Sequence, residues 1–130
     1  RRLHPESNDL EILSKLAALY FKKRELDKSY EMIEKIFKIN NSADGFLILS
    51  TAFSDMGLWG MATELLDACL HSYPNNKEAY LLYGNILKKG RRFDEAIQSW
   101  QKGLALDPSD KRFVESIKKA KESLKNVPHG

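Results

Sequence analysis

Apolar residues recur along this chain at spacings of three and four, the mark of helices with one buried face. The clearest stretch is Lys77 to Asp110. Ala79, Tyr80, Tyr83, Gly84 and Leu87 share one side of a first helix, and Ala96, Ile97, Trp100, Gly103 and Leu104 share one side of a second. Small residues alternate with large ones. Gly84 and Ala96 are expected to let the two backbones approach, while Trp100 and Tyr80 fill the wider gaps, and Pro108 follows where the second helix cannot continue.

The same pattern occurs three times. Phe46, Leu49, Ser50, Phe53, Ala62, Leu66, Cys69 and Ser72 each stand 34 residues before Tyr80, Tyr83, Gly84, Leu87, Ala96, Trp100, Gly103 and Leu106, and Pro74 stands 34 before Pro108. A further 33 residues back lie Leu13, Leu16, Ala17, Tyr20, Ser29, Ile33, Ile36 and Ile39, with Asn41 in the proline's place. The predicted hairpins are therefore 10–42, 43–76 and 77–110. The first is the most degenerate: Ser29 replaces the alanine, and its turn, Lys23 to Asp27, has no glycine where the second has Gly57. Residues 1–9 echo the tail of a preceding repeat or a linker, since Leu3-His4-Pro5-Glu6-Ser7 resembles Leu106 to Asp110. Over 111–126 one more helix carries Phe113, Ile117, Ala120 and Leu124 on a stripe, with Lys118, Lys119, Lys121 and Lys125 away from it. It reads as a cap, started by Ser109 or Asp110 and ended by Val127-Pro128, with a disordered end at 128–130.

With 130 residues, 42% of them hydrophobic, the chain is expected to form one compact domain and not two. It has no apolar run of about 18 residues and no signal-type segment at its start. One cysteine, Cys69, excludes an internal disulfide framework. The net charge of +3 is unevenly spread: residues 43–76 carry Asp44, Asp55, Glu64 and Asp67 and no lysine or arginine, leaving 21 basic against 14 acidic residues elsewhere.

The recurring small, aromatic and proline slots resemble the tetratricopeptide repeat, W-x2-L-G-x2-Y, then A-x3-F, then P, with Leu13, Phe46 and Tyr80 in the tryptophan slot. The resemblance covers residues 10 to 126. It implies an all-α fold, a right-handed superhelical solenoid of helix-turn-helix repeats. It also implies a concave groove lined by first helices, and a non-enzymatic adaptor or scaffold that binds a peptide or protein segment there. The alternative is a scaffold that associates with itself through its end repeats. Positions 100° to 140° from the packing stripe are then expected to face the groove. In the first hairpin these are Glu11, Ser14, Ala18, Phe21 and Lys22. In the second they are Asp44, Leu47, Thr51, Ser54 and Asp55, and in the third Glu78, Leu81, Asn85, Lys88 and Lys89. The expected ligand places an apolar anchor near Leu47 and Leu81, a basic or neutral residue opposite Asp44 or Asp55, and acidic residues toward Lys22, Lys88 and Lys89. The family's carboxylate clamp for acidic chaperone tails is absent, because its slots hold Ser14, Ala18, Ile48, Glu78 and Leu82.

No other chemistry competes. His4, His71 and His129 have no motif around them, so no catalytic residue is assigned. No HxxxH, CxxC, EF-hand, GxGxxG or GxxxxGK[ST] pattern occurs, and neither metal nor cofactor is expected. Cys69 takes a packing slot. The basic runs Lys22-Lys23-Arg24 and Lys88-Lys89-Gly90-Arg91-Arg92 would suit a nucleic-acid stripe, yet the matching place in the middle hairpin is Asp55-Met56-Gly57-Leu58-Trp59, which interrupts it with an acid. A protein partner is the expectation.

Overall fold

The computed structural model describes residues 3–126. Among them the backbone forms seven α-helices and no strand: α1 (Leu10–Lys22), α2 (Leu26–Ile39), α3 (Ala43–Asp55), α4 (Trp59–Ser72), α5 (Lys77–Lys89), α6 (Phe93–Leu106) and α7 (Lys111–Lys125). The odd-numbered helices each start on a side-chain cap. Asp9, Ser42, Asn76 and Asp110 accept from backbone N–H groups in the first turns of α1, α3, α5 and α7, satisfying donors that no helix can satisfy internally.

The even-numbered helices have no such cap, because each starts directly out of a tight turn. Three turns close identically. Glu25 N–H donates to Tyr20 O at 2.9 Å, Leu58 N–H to Phe53 O at 2.9 Å and Arg92 N–H to Leu87 O at 2.9 Å. The residue before each donor bonds one turn tighter, Arg24 to Phe21, Gly57 to Ser54 and Arg91 to Lys88, which completes a Schellman closure. That residue must be left-handed, and φ is 65° at Arg24, 76° at Gly57 and 61° at Arg91. Gly90, which the sequence offers as the turn glycine, instead has φ of −84°.

The sequence was expected to form one compact domain; the chain forms two compact units, Arg1–Tyr73 and Pro74–Gly130. In the first unit, α1 pairs with α2 and α3 with α4, and the two first helices, α1 and α3, also pack on each other. Leu13, Ala17, Ile36, Leu49, Phe53, Leu66 and Cys69 are fully buried there. Buried Ser29 takes the alanine slot by donating its hydroxyl to Ala17 O at 2.7 Å. The rings of Phe37 and Phe46 meet at 4.7 Å between α2 and α3. Residues 3–9 form no helix; Ser7 N–H closes a turn onto His4 O at 3.0 Å, and Lys35 Nζ of α2 holds Pro5 O at 3.0 Å.

In the second unit α5 pairs with α6, and α7 lies on α6. Leu87, Ala96, Ile97, Trp100, Phe113, Ile117 and Ala120 form its core, with Leu124 half-buried beside them. The glycines there make room for side chains. Gly84 seats the Trp100 indole, whose Nε1 donates to Leu81 O at 3.3 Å, and Gly103 seats the Phe113 ring. Close approach at Gly84 is therefore helix to ring, where the sequence suggested backbone to backbone. The stripes also stop short: Ile39, Ser72 and Leu106 are exposed, since they end the last turn of each second helix as the chain departs. Met32 and Leu65 are buried without being on the expected stripes. The Val127-Pro128 stop and the end at 128–130 lie outside the described residues.

Candidate functional site

Side-by-side packing of α1 and α3 opens a cleft of about 360 Å³ in the first unit. Its floor is Leu47, Ile48 and Ala52 with Ser14 and Thr51, and its rim is Glu11, Lys15 and Asp55. The polar atoms of the floor are already satisfied. Thr51 Oγ1 donates to Leu47 O at 2.8 Å and Ser14 Oγ to Glu11 O at 2.8 Å, so both hydroxyls are turned to their own helix. The floor thus meets a ligand as apolar surface. On the rim, Lys15 Nζ pairs with Glu11 at 3.1 Å, whereas exposed Asp55 has no ion pair.

Of the residues expected to face a groove, Ser14, Leu47, Thr51 and Asp55 come together in this cleft. Ala18 and Ser54 do not present themselves: both are buried, as is Ser14 except for its share of the floor. A first helix flanked by its own second helix and by the next first helix is covered over a wider arc than one packing stripe implies, and that arc takes in these positions. Phe21 is also drawn inward, edge-on to Phe53 at 5.5 Å. Lys22 reaches across to the next hairpin, its Nζ donating to Met56 O at 3.2 Å. Asp44 is exposed in the first turn of α3. Lys15, Ile48 and Ala52 were not among the expected site residues. Their signal was available in that Ile48 and Ala52 lie four residues apart on the edge of the α3 stripe, and Lys15 lies four after Glu11.

In the second unit the corresponding face is crossed by charge. Arg112 of α7 grips Glu78 of α5 with two bonds of 3.0 and 2.5 Å, and its Nη2 also meets Asp110 at 2.7 Å. Lys77 Nζ lies 2.5 Å from Asp107 and 3.0 Å from Asp110. The carboxyls respond. Arg112 holds Glu78 below the usual carboxylate range, Lys77 does so for Asp107, and Arg112 with Lys77 holds Asp110 far below it. Glu78 is therefore committed to Arg112. Leu81 and Asn85 are half-buried, and Lys88 and Lys89 are exposed.

Cys69 is fully buried and free; burial first, and the Asp44 carboxylate second, push its thiol pKa up, which suits a packing residue. Among the described residues no group of three His, Cys, Asp or Glu side chains could hold a metal ion. No helix among them is long and apolar enough to cross a membrane.

Helical hairpins with a shared turn, stacked at a 34-residue period, define a helical-repeat protein. The profile described as "Tetratricopeptide repeat" matches residues 77–110, and the chain has the tetratricopeptide fold, three such hairpins followed by a capping helix. Its structure is similar to the Arabidopsis OM64 TPR domain, with a TM-score of 0.65, 19% identity, and coverage of 88% of this chain and 95% of that one. It is similar to MamA, with a TM-score of 0.67, 23% identity, and coverage of 92% and 71%. The first TPR domain of human RPAP3 gives a TM-score of 0.67 at 15% identity, covering 89% and 92%. No curated protein matches the chain in sequence. The tetratricopeptide fold is in general a protein-interaction fold.

Proposed function

We propose that this chain is an adaptor that binds an extended segment of another protein along its first helices, anchored by an apolar side chain in the α1–α3 cleft. The observation that carries this reading is the cleft floor, where Leu47, Ile48 and Ala52 are accompanied by hydroxyls that already have partners. Such a surface gains from covering by apolar groups and has no fixed chemistry to offer a reacting molecule. Asp55 on the rim sets the flanking preference, a basic residue beside the anchor. Leu81 is a second apolar contact, and Lys88 and Lys89 favour acidic residues near it. Exposed charge pairs contribute about 0 to 1 kcal/mol each, so the apolar anchors supply most of the affinity and the charges most of the selectivity.

A random peptide library panned on the purified protein tests this. The expected winners carry a large apolar residue next to lysine or arginine; Leu47→Glu abolishes their binding, while Glu64→Lys and Gln98→Glu, on exposed positions of second helices, leave it intact. Loss in the second-helix variants with retention in Leu47→Glu would place the working surface elsewhere. Sedimentation across a concentration series separates this reading from self-association, since the adaptor stays monomeric throughout.

A further inference from the structure

The two compact units differ in charge. Residues 74–130 hold 12 basic and 7 acidic side chains, while residues 1–73 hold 9 basic and 11 acidic. The excess is concentrated on α7, where six lysines and arginines face two glutamates within 15 residues. Its position on the helix is specific. In α5 the face made by Tyr80, Gly84 and Leu87 meets the second helix of the hairpin: Gly84 seats Trp100, Tyr80 O accepts from Ser99, and Leu87 joins the core. Thirty-four residues later the same face of α7 carries Val114, Lys118 and Lys121, with Lys111 and Lys125 on the same side one turn beyond each end.

All four lysines are exposed, and Val114 is 49% exposed among them. None of the four makes an ion pair, whereas Arg112, on a different face, is fully engaged by Glu78 and Asp110. Like charges three and four apart weaken a helix. A face that needed only to be wetted would carry both signs, and this one carries a single sign around one apolar residue. An ordinary apolar second helix cannot pack on it, because Lys118 and Lys121 stand where the other first helices bring small or apolar residues to their partner.

We propose that this face of α7 docks an acidic amphipathic helix of a partner protein, which takes the place that a second helix takes in each hairpin. Its apolar side chain covers Val114, and its carboxylates meet Lys118, Lys121 and Lys125. The fit is to a helix and not to a membrane or a nucleic acid. One valine offers too little apolar surface to enter a bilayer interface, and the face has neither an arginine fork for phosphate nor an aromatic ring for a base.

The test uses the whole protein and a synthetic helix of about four turns, with leucines at three- and four-residue spacing beside glutamates, against the same peptide with lysine for glutamate. In fluorescence anisotropy the acidic peptide binds and the basic one does not. Lys118→Glu with Lys121→Glu weakens binding at least about tenfold, as does raising salt, because the attraction is between exposed charges. Lys118→Gln with Lys121→Gln weakens it less, and Lys119→Glu, on the neighbouring face, leaves it unchanged. Circular dichroism confirms that each variant is folded. Leu47→Glu also leaves it unchanged, which separates this surface from the α1–α3 cleft. Equal binding of the two peptides, or equal loss in Lys119→Glu, overturns the proposal. So does binding of duplex DNA or phosphatidylserine vesicles through Lys118 and Lys121 by a protein that ignores the acidic peptide.

Discussion

Gly84 and Trp100 fit as socket and plug: a Cβ on Gly84 would fall inside the indole that now lies against its backbone. Trp100 is the largest fully buried side chain, so it has nowhere to retreat. Gly84→Ala should therefore destabilise the protein by about 1 to 3 kcal/mol through overpacking. Urea denaturation measures the loss, and native tryptophan emission should shift to the red as the indole is pushed toward water.

Arg24 and Arg91 occupy left-handed turn positions, the place Gly57 holds in the middle hairpin. An L residue costs about 1 to 2 kcal/mol there, and glycine returns about 0.5 to 1 of that through its freer unfolded chain. Arg24→Gly and Arg91→Gly should each raise stability by about 0.5 to 1 kcal/mol, and Gly57→Ala should lower it by about 1. Thermal melts of the three variants check the sign of each change.

Two buried serines should respond oppositely to one substitution. Ser29 donates to Ala17 O at 2.7 Å, while Ser50 is fully buried and its hydroxyl has no partner. Ser29→Ala should cost about 1 kcal/mol, and Ser50→Ala should gain about as much by removing a desolvated polar group. Denaturant midpoints with unchanged slopes would record both effects.

The charge cluster of the second unit sets an acid response. Glu78, Asp107 and Asp110 have folded pKa values below their unfolded ones, so their contribution is fully present above the unfolded values, about 3.9 to 4.3, and is lost as pH falls below them. Lys77 and Arg112 are shifted upward, so their contribution is intact throughout this range. Melting temperature should fall between about pH 4 and pH 2. Asp110→Asn should reduce the slope while leaving α7 capped, because asparagine already caps α5 at position 76.

Helices were the most legible part of the sequence, because burial on one face imposes a period that single substitutions do not erase. Three hairpins and a seventh helix begin at Leu10, Ala43, Lys77 and Lys111, as the spacing of the stripes predicts. Turn conformation was less legible. Positive φ falls where a Schellman closure must be completed, so arginine adopts it at 24 and 91 while nearby Gly90 does not. The cleft was half legible: Leu47, Thr51 and Asp55 follow from helical angle alone. Ala18 and Ser54 were misplaced because their exposure depends on a neighbouring helix that no local pattern describes.

The grip of Arg112 on Glu78 joins residues one repeat length apart. The same two positions in the first unit hold Glu11 and Asp44, both acidic, so the bond is not a property of the repeat but of one particular succession. Copying residues 77–110 in tandem would set a second glutamate where the guanidinium now lies and turn attraction into repulsion. The third hairpin and the helix after it thus have a written order, like a word and its full stop, and a chain that shuffled its repeats would lose the mark that says which one comes before α7.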